Sequence, residues 1–182
     1  VVDEVYADFA RPDAVRLPAA PNLIRLNSLA KVFGLYSLRC GWIIADPAAA
    51  ERIAAANAAR EFGVSKLTHA VGALILENPG PFEAHWRAVL ADRRPILERR
   101  LEAMRDDGLL DGAMPEFGCM AFPRVLRHPD TLALAERLWR DAGLVTAPGE
   151  MFGLPGHMRL GIGLSPEQMD EGLSRLHEAL RR

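Results

Sequence analysis

Three groups of residues in this 182-residue sequence have types and spacings suited to chemistry. The first lies in Asn27 to Trp42, which carries Ser28, Lys31 and Arg39, with Gly34 and Gly41 loosening the backbone. A lysine in a basic turn between rigid walls is a candidate nucleophile, because neighbouring cations favour the neutral amine. The alternative is a surface turn with ordinary cations. The second group is Asp3-Glu4-Val5-Tyr6, where acids follow directly on apolar residues. In open α/β sheets ligands gather beyond the carboxyl ends of strands, so Asp3 and Tyr6 are placed for chemistry. The alternative for Asp3 is a helix N-cap that accepts backbone N–H bonds. The third is Arg159, set in an apolar run where a charge is costly unless paired. A guanidinium matches a carboxylate with two parallel hydrogen bonds, so a ligand carboxylate is one partner for it. A structural ion pair, for instance with Glu150, is the other.

The elements around these residues follow from pattern. Leu23 to Leu26 and Trp42 to Ala45 have strand length and composition, and they flank the lysine stretch. Ala10 to Asn22 holds three prolines and reads as a loop. Asp46-Pro47 opens an alanine-rich helix that runs to about Arg60, and Gly63 ends it. Ser65 to Asn78 is a second helix, with Leu67, Val71, Leu74 and Ile75 on one face. Asn78-Pro79-Gly80-Pro81 is a break and the expected domain boundary. Phe82 to Asp107 is a long amphipathic helix with Trp86, Val89, Leu90, Leu97, Leu101 and Met104 at helical spacing. Pro95 should kink or split it. Its arginines, Arg93, Arg94, Arg99 and Arg100, read as a solvated face. Gly118 to Val125 is a strand, Thr131 to Ala142 a helix closed by Gly143, and Leu144 to Thr146 a short strand. Ala147 to Gly153 is a loop and His157 to Gly163 the last strand. Ser165-Pro166 starts a helix that runs to the C-terminus.

Composition narrows the function. Hydrophobic residues make up 49%, which places the chain among globular proteins. Lysine and arginine total 22 against 24 acids, a net charge of −2 that argues against an electrostatic nucleic-acid binder. No run approaches the about 20 apolar residues of a membrane span. Cys40 and Cys119 lie in apolar segments and read as reduced core residues of a cytoplasmic protein. The five histidines show no metal-ligand spacing, so no metal site is expected. His157 lies near Arg159 in sequence. The chain starts with Val1-Val2, which reads as a strand end, so it is expected to be the C-terminal part of a longer protein.

Together the motifs resemble those of the class I/II aminotransferases, fold type I enzymes that use pyridoxal 5′-phosphate (PLP). Ser28, Lys31, Gly34, Leu35, Arg39 and Gly41 match that family's lysine signature in type and spacing. Ser37 stands where glycine is usual and Cys40 where an aliphatic residue is usual. The Asp-Glu-x-Tyr run is a second motif upstream of the lysine. Pro148-Gly149, Phe152-Gly153 and Arg159-x-Gly161-x-Gly163 resemble the family's final segment. The resemblance covers nearly the whole chain and about the C-terminal half of a family member.

It implies an α/β fold: residues 1–80 are the end of a large, mostly parallel-sheet domain and residues 81–182 a small α+β domain. It implies that Lys31 forms the Schiff base with PLP and then acts as general base. Asp3 faces the ring nitrogen and Tyr6 the ring's phenolate oxygen. Ser28 and Arg39 hold the phosphate, and Arg159 grips the substrate's α-carboxylate. The implied reaction passes an amino group between an amino acid and a 2-oxo acid, in a homodimer. A PLP-dependent β-lyase or decarboxylase, or the aminotransferase-like effector domain of a transcription regulator, would carry the same residues. The family's other cofactor contacts lie upstream of the Asp-Glu-x-Tyr motif, so residues 1–182 alone are expected to be catalytically silent.

Overall fold

Val2–Asp3 (β1), Arg25–Ser28 (β2) and Gly41–Ile44 (β3) form a three-stranded sheet in the order β1-β2-β3. The structure, a computed structural model, describes residues 1–9, 20–60, 63 and 65–182. Most of the loop expected over Ala10 to Asn22 therefore lies outside the described residues. The chain divides into two compact units, Val1–Arg87 and Ala88–Arg182.

In the first unit β1 runs parallel to β2, with Val2 opposite Arg25 and Asp3 opposite Leu26. β2 runs antiparallel to β3, with Ser28 opposite Gly41. The middle strand starts at Arg25 and reaches Ser28, two residues later than the apolar run suggests. The Arg25 guanidinium explains why a charge is tolerated there: its Nε donates to Glu4 Oε1 at 2.8 Å, beside β1. Helix α1 (Pro47–Ala58) begins as the Asp-Pro pair predicts, with Asp46 Oδ1 accepting from the Ala49 amide at 3.1 Å. Helix α2 (Lys66–Glu77) lies between Ser65 and Asn78, as expected. Its buried face overlaps the predicted one only in part. Ile75 is buried and Val71 half-buried as predicted, with Gly72 buried beside them, whereas Leu67 and Leu74 are 72% and 60% exposed. A helical stripe can be read around more than one axis, and packing selects the one in which small Gly72 lets the helix approach Leu29 and Cys40.

Helix α3 (Gly80–Asp106) is a single 27-residue element. Pro95 does not split it: the proline lies on the exposed side. Leu97, Leu101 and Met104 are buried as the spacing predicts.

The second unit packs that stripe against helix α4 (Thr131–Ala142), helix α5 (Pro166–Arg181) and short antiparallel strands. β4 (Leu110–Asp111) pairs with β6 (Arg124–Val125), while β5 (Met120–Ala121), β8 (Met158–Gly161) and β7 (Ala147–Pro148) form a sheet in the order β5-β8-β7. The strand expected over Gly118 to Val125 is thus two strands in different sheets. Phe122 and buried Pro123 lie between them, and a proline nitrogen cannot donate to a ladder. The strand expected at Leu144 to Thr146 forms instead at Ala147–Pro148, and Val145 is largely exposed.

On α5, Met169, Leu173, Leu176 and Leu180 recur at helical spacing and are buried. They meet Leu134 and Leu138 of α4, Met158 and Leu160 of β8, and Leu97 and Leu101. Each fully buried side chain of this size contributes about 1.5–3 kcal/mol. Helix caps fix the register: Asp130 accepts from the Ala133 amide, Gly143 closes α4 in the left-handed conformation, and Ser165 with Gln168 makes a capping box.

The α3 arginines are not a solvated face. Arg94 donates to the Gly118 carbonyl at 2.8 Å, to the Pro115 carbonyl and to Glu98. Arg100 grips Asp170 of α5 through two bonds of 2.9 and 2.6 Å, and Arg99 adds a third at 3.3 Å. Arg93 reaches the Ile162 carbonyl at 3.4 Å. The charged row staples α3 to α5 and to the loop before β5.

Hydrogen bonds from Arg100 hold the Asp170 carboxyl below its ordinary range. Bonds from Thr131 do the same for Glu150, and bonds from Arg181 and His177 for Asp107. A carboxyl depressed in the folded state stabilises fully above its unfolded pKa, about 4, and loses that contribution as pH falls through the folded value. Stability of the protein is therefore expected to hold near neutrality and to decline below about pH 4. Asp170→Asn should lower the melting temperature at pH 7 and flatten the acid limb; an unchanged acid limb would show that the staple is not coupled to folding.

Candidate functional site

The parallel register of β1 and β2 puts the carboxyl ends of both strands at the same sheet edge. Asp3 ends β1, and Tyr6 follows it on a turn that leads into a 3-10 helix at Ala7–Phe9. Ser28 ends β2, and Lys31 follows on a turn closed by the Gly34 amide on the Lys31 carbonyl at 3.0 Å. Because β3 runs back antiparallel from Gly41, Arg39 also stands at that edge. Five of the six residues singled out in the sequence thus come together there: a carboxylate, a phenol, a hydroxyl, an amine and a guanidinium. The sixth, Arg159, belongs to the second unit.

The lysine turn is anchored from below. Leu29 and Val32, on either side of Lys31, are 0% and 3% exposed, whereas Lys31 itself is exposed. The apolar anchors leave the amine pointing outward without a mobile backbone. The Leu29 amide bonds the Cys40 carbonyl at 3.0 Å, and the Leu35 amide bonds the Leu29 carbonyl at 3.0 Å, so the loop is laced to the sheet. Gly41 is needed for the close strand pairing: a Cβ there would lie 3.1 Å from the Asn27 carbonyl and 3.3 Å from Ser28 Cβ.

Lys31 Nζ lies 5.8 Å from the Tyr6 ring centroid, over its face. Tyr6 is held by stacking on Phe9 at 6.1 Å, and Phe9 meets the edge of buried Trp86 at 5.4 Å. The aromatic series fixes where the phenol and the amine stand relative to each other. Asp3 Oδ1 accepts from the Val5 amide at 3.0 Å, so the carboxylate does turn back on its own chain as a cap would. One such bond occupies one of about four acceptor sites. Ser28 Oγ accepts from the Ala30 amide at 3.3 Å, which leaves its own O–H as a donor. Arg39 donates to the Tyr36 carbonyl at 3.4 Å.

Arg39 has φ 52°, the one positive value for a non-glycine residue among the described residues. A left-handed non-glycine residue costs about 1–2 kcal/mol, and such strain persists where the surroundings over-determine the backbone. The sequence gives no signal for this strain. It also hides the Asn27 Nδ2 bond to Asp8 Oδ2 at 3.3 Å, which ties the lysine strand to the 3-10 helix after Tyr6. The two partners are 19 residues apart, and neither belongs to a recognisable motif.

In the second unit Arg159 is exposed, between buried Met158 and Leu160. Strand alternation turns it outward, so no ion pair is needed to offset burial, and it makes none among the described residues. Glu150, the alternative partner, is engaged elsewhere: its oxygens accept from the Thr131 amide at 3.0 Å and the Thr131 hydroxyl at 2.6 Å, at the start of α4. Arg159 instead packs its guanidinium over the Phe152 ring, 4.8 Å from the centroid.

The strain at Arg39 yields a separable test. Arg39→Gly should leave the unfolding free energy from urea titration equal or higher, by up to about 1 kcal/mol, and Arg39→Val should lower it by about 2 kcal/mol. Equal unfolding free energies for the two variants would show that the left-handed backbone carries no strain.

The profile of the aminotransferase class I and II family matches residues 1–176. A capreomycidine synthase from Streptomyces vinaceus is 29% identical over 160 residues, covering 87% of this chain and 40% of the relative. A histidinol-phosphate aminotransferase 2 from Methylococcus capsulatus is 34% identical over 175 residues, covering 92% of this chain and 43% of the relative. The chain thus spans less than half the length of these curated relatives. A solved PLP-dependent aminotransferase from Streptococcus suis has a TM-score of 0.84 and 22% identity, covering 99% of this chain and 48% of that one. The fold is α/β, that of the fold type I PLP-dependent transferases. The matched motifs, the shared fold and a profile that runs almost end to end make this chain a member of the class I and II aminotransferase family.

Proposed function

We propose that the chain carries the cofactor-attaching and carboxylate-binding residues of an aminotransferase, which passes an amino group between an amino acid and a 2-oxo acid with PLP as cofactor. The observation that carries the reading is the shared sheet edge, where β1 and β2 end together and Asp3, Tyr6, Ser28, Lys31 and Arg39 converge.

The donor set fits the cofactor's chemistry. An exposed primary amine suits its aldehyde, a carboxylate its protonated ring nitrogen and a phenol its ring oxygen. A hydroxyl donor and a guanidinium suit its phosphate. Lys31 would attach the cofactor, Asp3 and Tyr6 would face its ring, and Ser28 and Arg39 would hold its phosphate. Bound there, PLP supplies a carbonyl that captures amino groups and a cationic ring that absorbs the electron pair left at the substrate α-carbon. The chain's own residues do the rest. Lys31 Nζ would take the proton from the substrate α-carbon as general base. Asp3 keeps a proton on the ring nitrogen by its negative charge. The Tyr6 hydroxyl donates to the ring oxygen. Arg159 takes the substrate's α-carboxylate with paired N–H donors, which orients the substrate.

We place the enzyme in the cytoplasm as a homodimer. The family resemblance implies the dimer and a metabolic enzyme of that compartment. No helix among the described residues is long and apolar enough to cross a membrane. Another reaction of the same cofactor is the second reading, because one similar protein is named a synthase rather than an aminotransferase. Dependence of turnover on a 2-oxo acid acceptor separates the two.

In the holoenzyme, Asp3→Asn should lower kcat by about 10²-fold or more, since a neutral amide cannot keep the ring nitrogen protonated. Retention of most activity would return Asp3 to a capping role. Arg159→Ala should raise KM for the amino acid, with a loss of about 2–5 kcal/mol in binding. An unchanged KM would remove Arg159 from the substrate site.

A further inference from the structure

The Arg159 guanidinium has a built support that the carboxylate role alone does not require. Arg159 leaves β8 opposite Ala147 of β7. The chain between the two strands returns as a 3-10 helix at Gly149–Phe152, closed by Gly153 in the left-handed conformation. This return is tightly specified. The Gly149 amide bonds the His157 carbonyl at 2.7 Å, and the Leu154 amide bonds the Gly149 carbonyl at 2.9 Å. A Cβ on Gly149 would lie 2.0 Å from the Leu154 carbonyl, so only glycine allows the turn to close. The closed turn lays the Phe152 ring under Arg159, at 4.8 Å from Cζ to the centroid.

Phe152 is in turn held from behind. Phe122 meets it edge-on at 5.5 Å and 82°, and His157 stacks on Phe122 at 5.4 Å and 27°. His157, Phe122, Phe152 and Arg159 form one tier. Phe152 is 46% exposed, so burial alone does not account for its place. With no acid on Arg159 among the described residues, the ring face is the contact that limits its rotamers.

We propose that Phe152 is a positioning residue for Arg159. By cation–π contact it holds the guanidinium plane against the ring and leaves its N–H edge directed outward for a carboxylate. This rests on the carboxylate role given to Arg159 above. An acid in place of the ring would hold the arginine equally well but would occupy the donors that the ligand needs. An aromatic face holds the cation and leaves those donors open. The gain is preorganisation: a long side chain ordered before binding loses less freedom on binding.

The test compares Phe152→Leu, Phe152→Tyr and Arg159→Ala in the holoenzyme. Two affinities are read: KM for the best substrate among the common amino acids, and the calorimetric dissociation constant of 2-aminoisobutyrate, which has the carboxylate but no α-hydrogen. A cation–π contact and one ordered side chain together predict an increase of about two- to tenfold in both for Phe152→Leu, with kcat nearly unchanged. Phe152→Tyr, which keeps the ring, should stay near wild type. The Arg159 Nε–H resonance, shifted upfield by the ring, should move downfield in Phe152→Leu and remain in Phe152→Tyr. If Arg159→Ala weakens both affinities and Phe152→Leu weakens neither, the positioning role is overturned and the carboxylate role stands. If Arg159→Ala also weakens neither, both are overturned. A fall in kcat at constant KM for Phe152→Leu, or a Tyr variant as impaired as the Leu variant, likewise overturns the positioning role.

Discussion

Backbone pairing between β1 and β2 is the constraint on which the candidate site depends. Only a parallel pair brings two carboxyl ends to one edge, and only then do the residues after Asp3 and after Ser28 face a common space. The antiparallel return of β3 adds Arg39 without a further crossover. Side chains reinforce the register at both ends of the pair. Arg25 meets Glu4 at 2.8 Å, and Asn27 meets Asp8 at 3.3 Å. A one-residue slip would turn Ser28 to the other face and separate both bonded pairs. The chemistry of the edge is thus a consequence of pairing geometry, and the loops supply only the last few ångströms.

The second unit solves a different problem with similar means. Its strands are short and belong to two sheets, so helix–helix packing carries the core. Arg100 and Asp170 fix α3 against α5, while Glu150 fixes the start of α4 by occupying the Thr131 amide and hydroxyl. Glu150 sits inside the turn between β7 and β8, two residues before Phe152. The same turn therefore holds the start of α4 through one side chain and packs a ring against Arg159 through another. With Glu150 held on the helix start, Arg159 makes no ion pair among the described residues.

Much of this was legible in the sequence, and the failures have a common physical form. Helices with local end signals are readable: Asp46-Pro47, Gly143 and Ser165-Pro166 mark their ends in the sequence, and the structure caps them there. The residues that gather at the sheet edge were readable because chemistry restricts their types. What sequence could not give were long-range choices. The arginine row of α3 looked solvated because its partners, Gly118, Ile162 and Asp170, lie 24 to 70 residues away. The buried side of α2 is only partly legible because Gly72, with no side chain, carries no weight in an apolar pattern, yet a Cβ there would lie 3.0 Å from Cys40 Sγ. The apolar neighbourhood of Arg159 in sequence suggests a charge that must be paired, whereas alternation along β8 exposes it.

The central claim is that the sheet edge presents one lysine to the cofactor. The sequence given has two lysines, Lys31 and Lys66, and both are exposed, so accessibility does not choose between them. Lys31 stands over Tyr6 at that edge, whereas Lys66 opens α2. The direct measurement is borohydride reduction of the holoenzyme followed by peptide mapping. The account predicts a stable pyridoxyl group on Lys31 and none on Lys66. A label on Lys66, or no label on this chain when the holoenzyme is fully reduced, would contradict it.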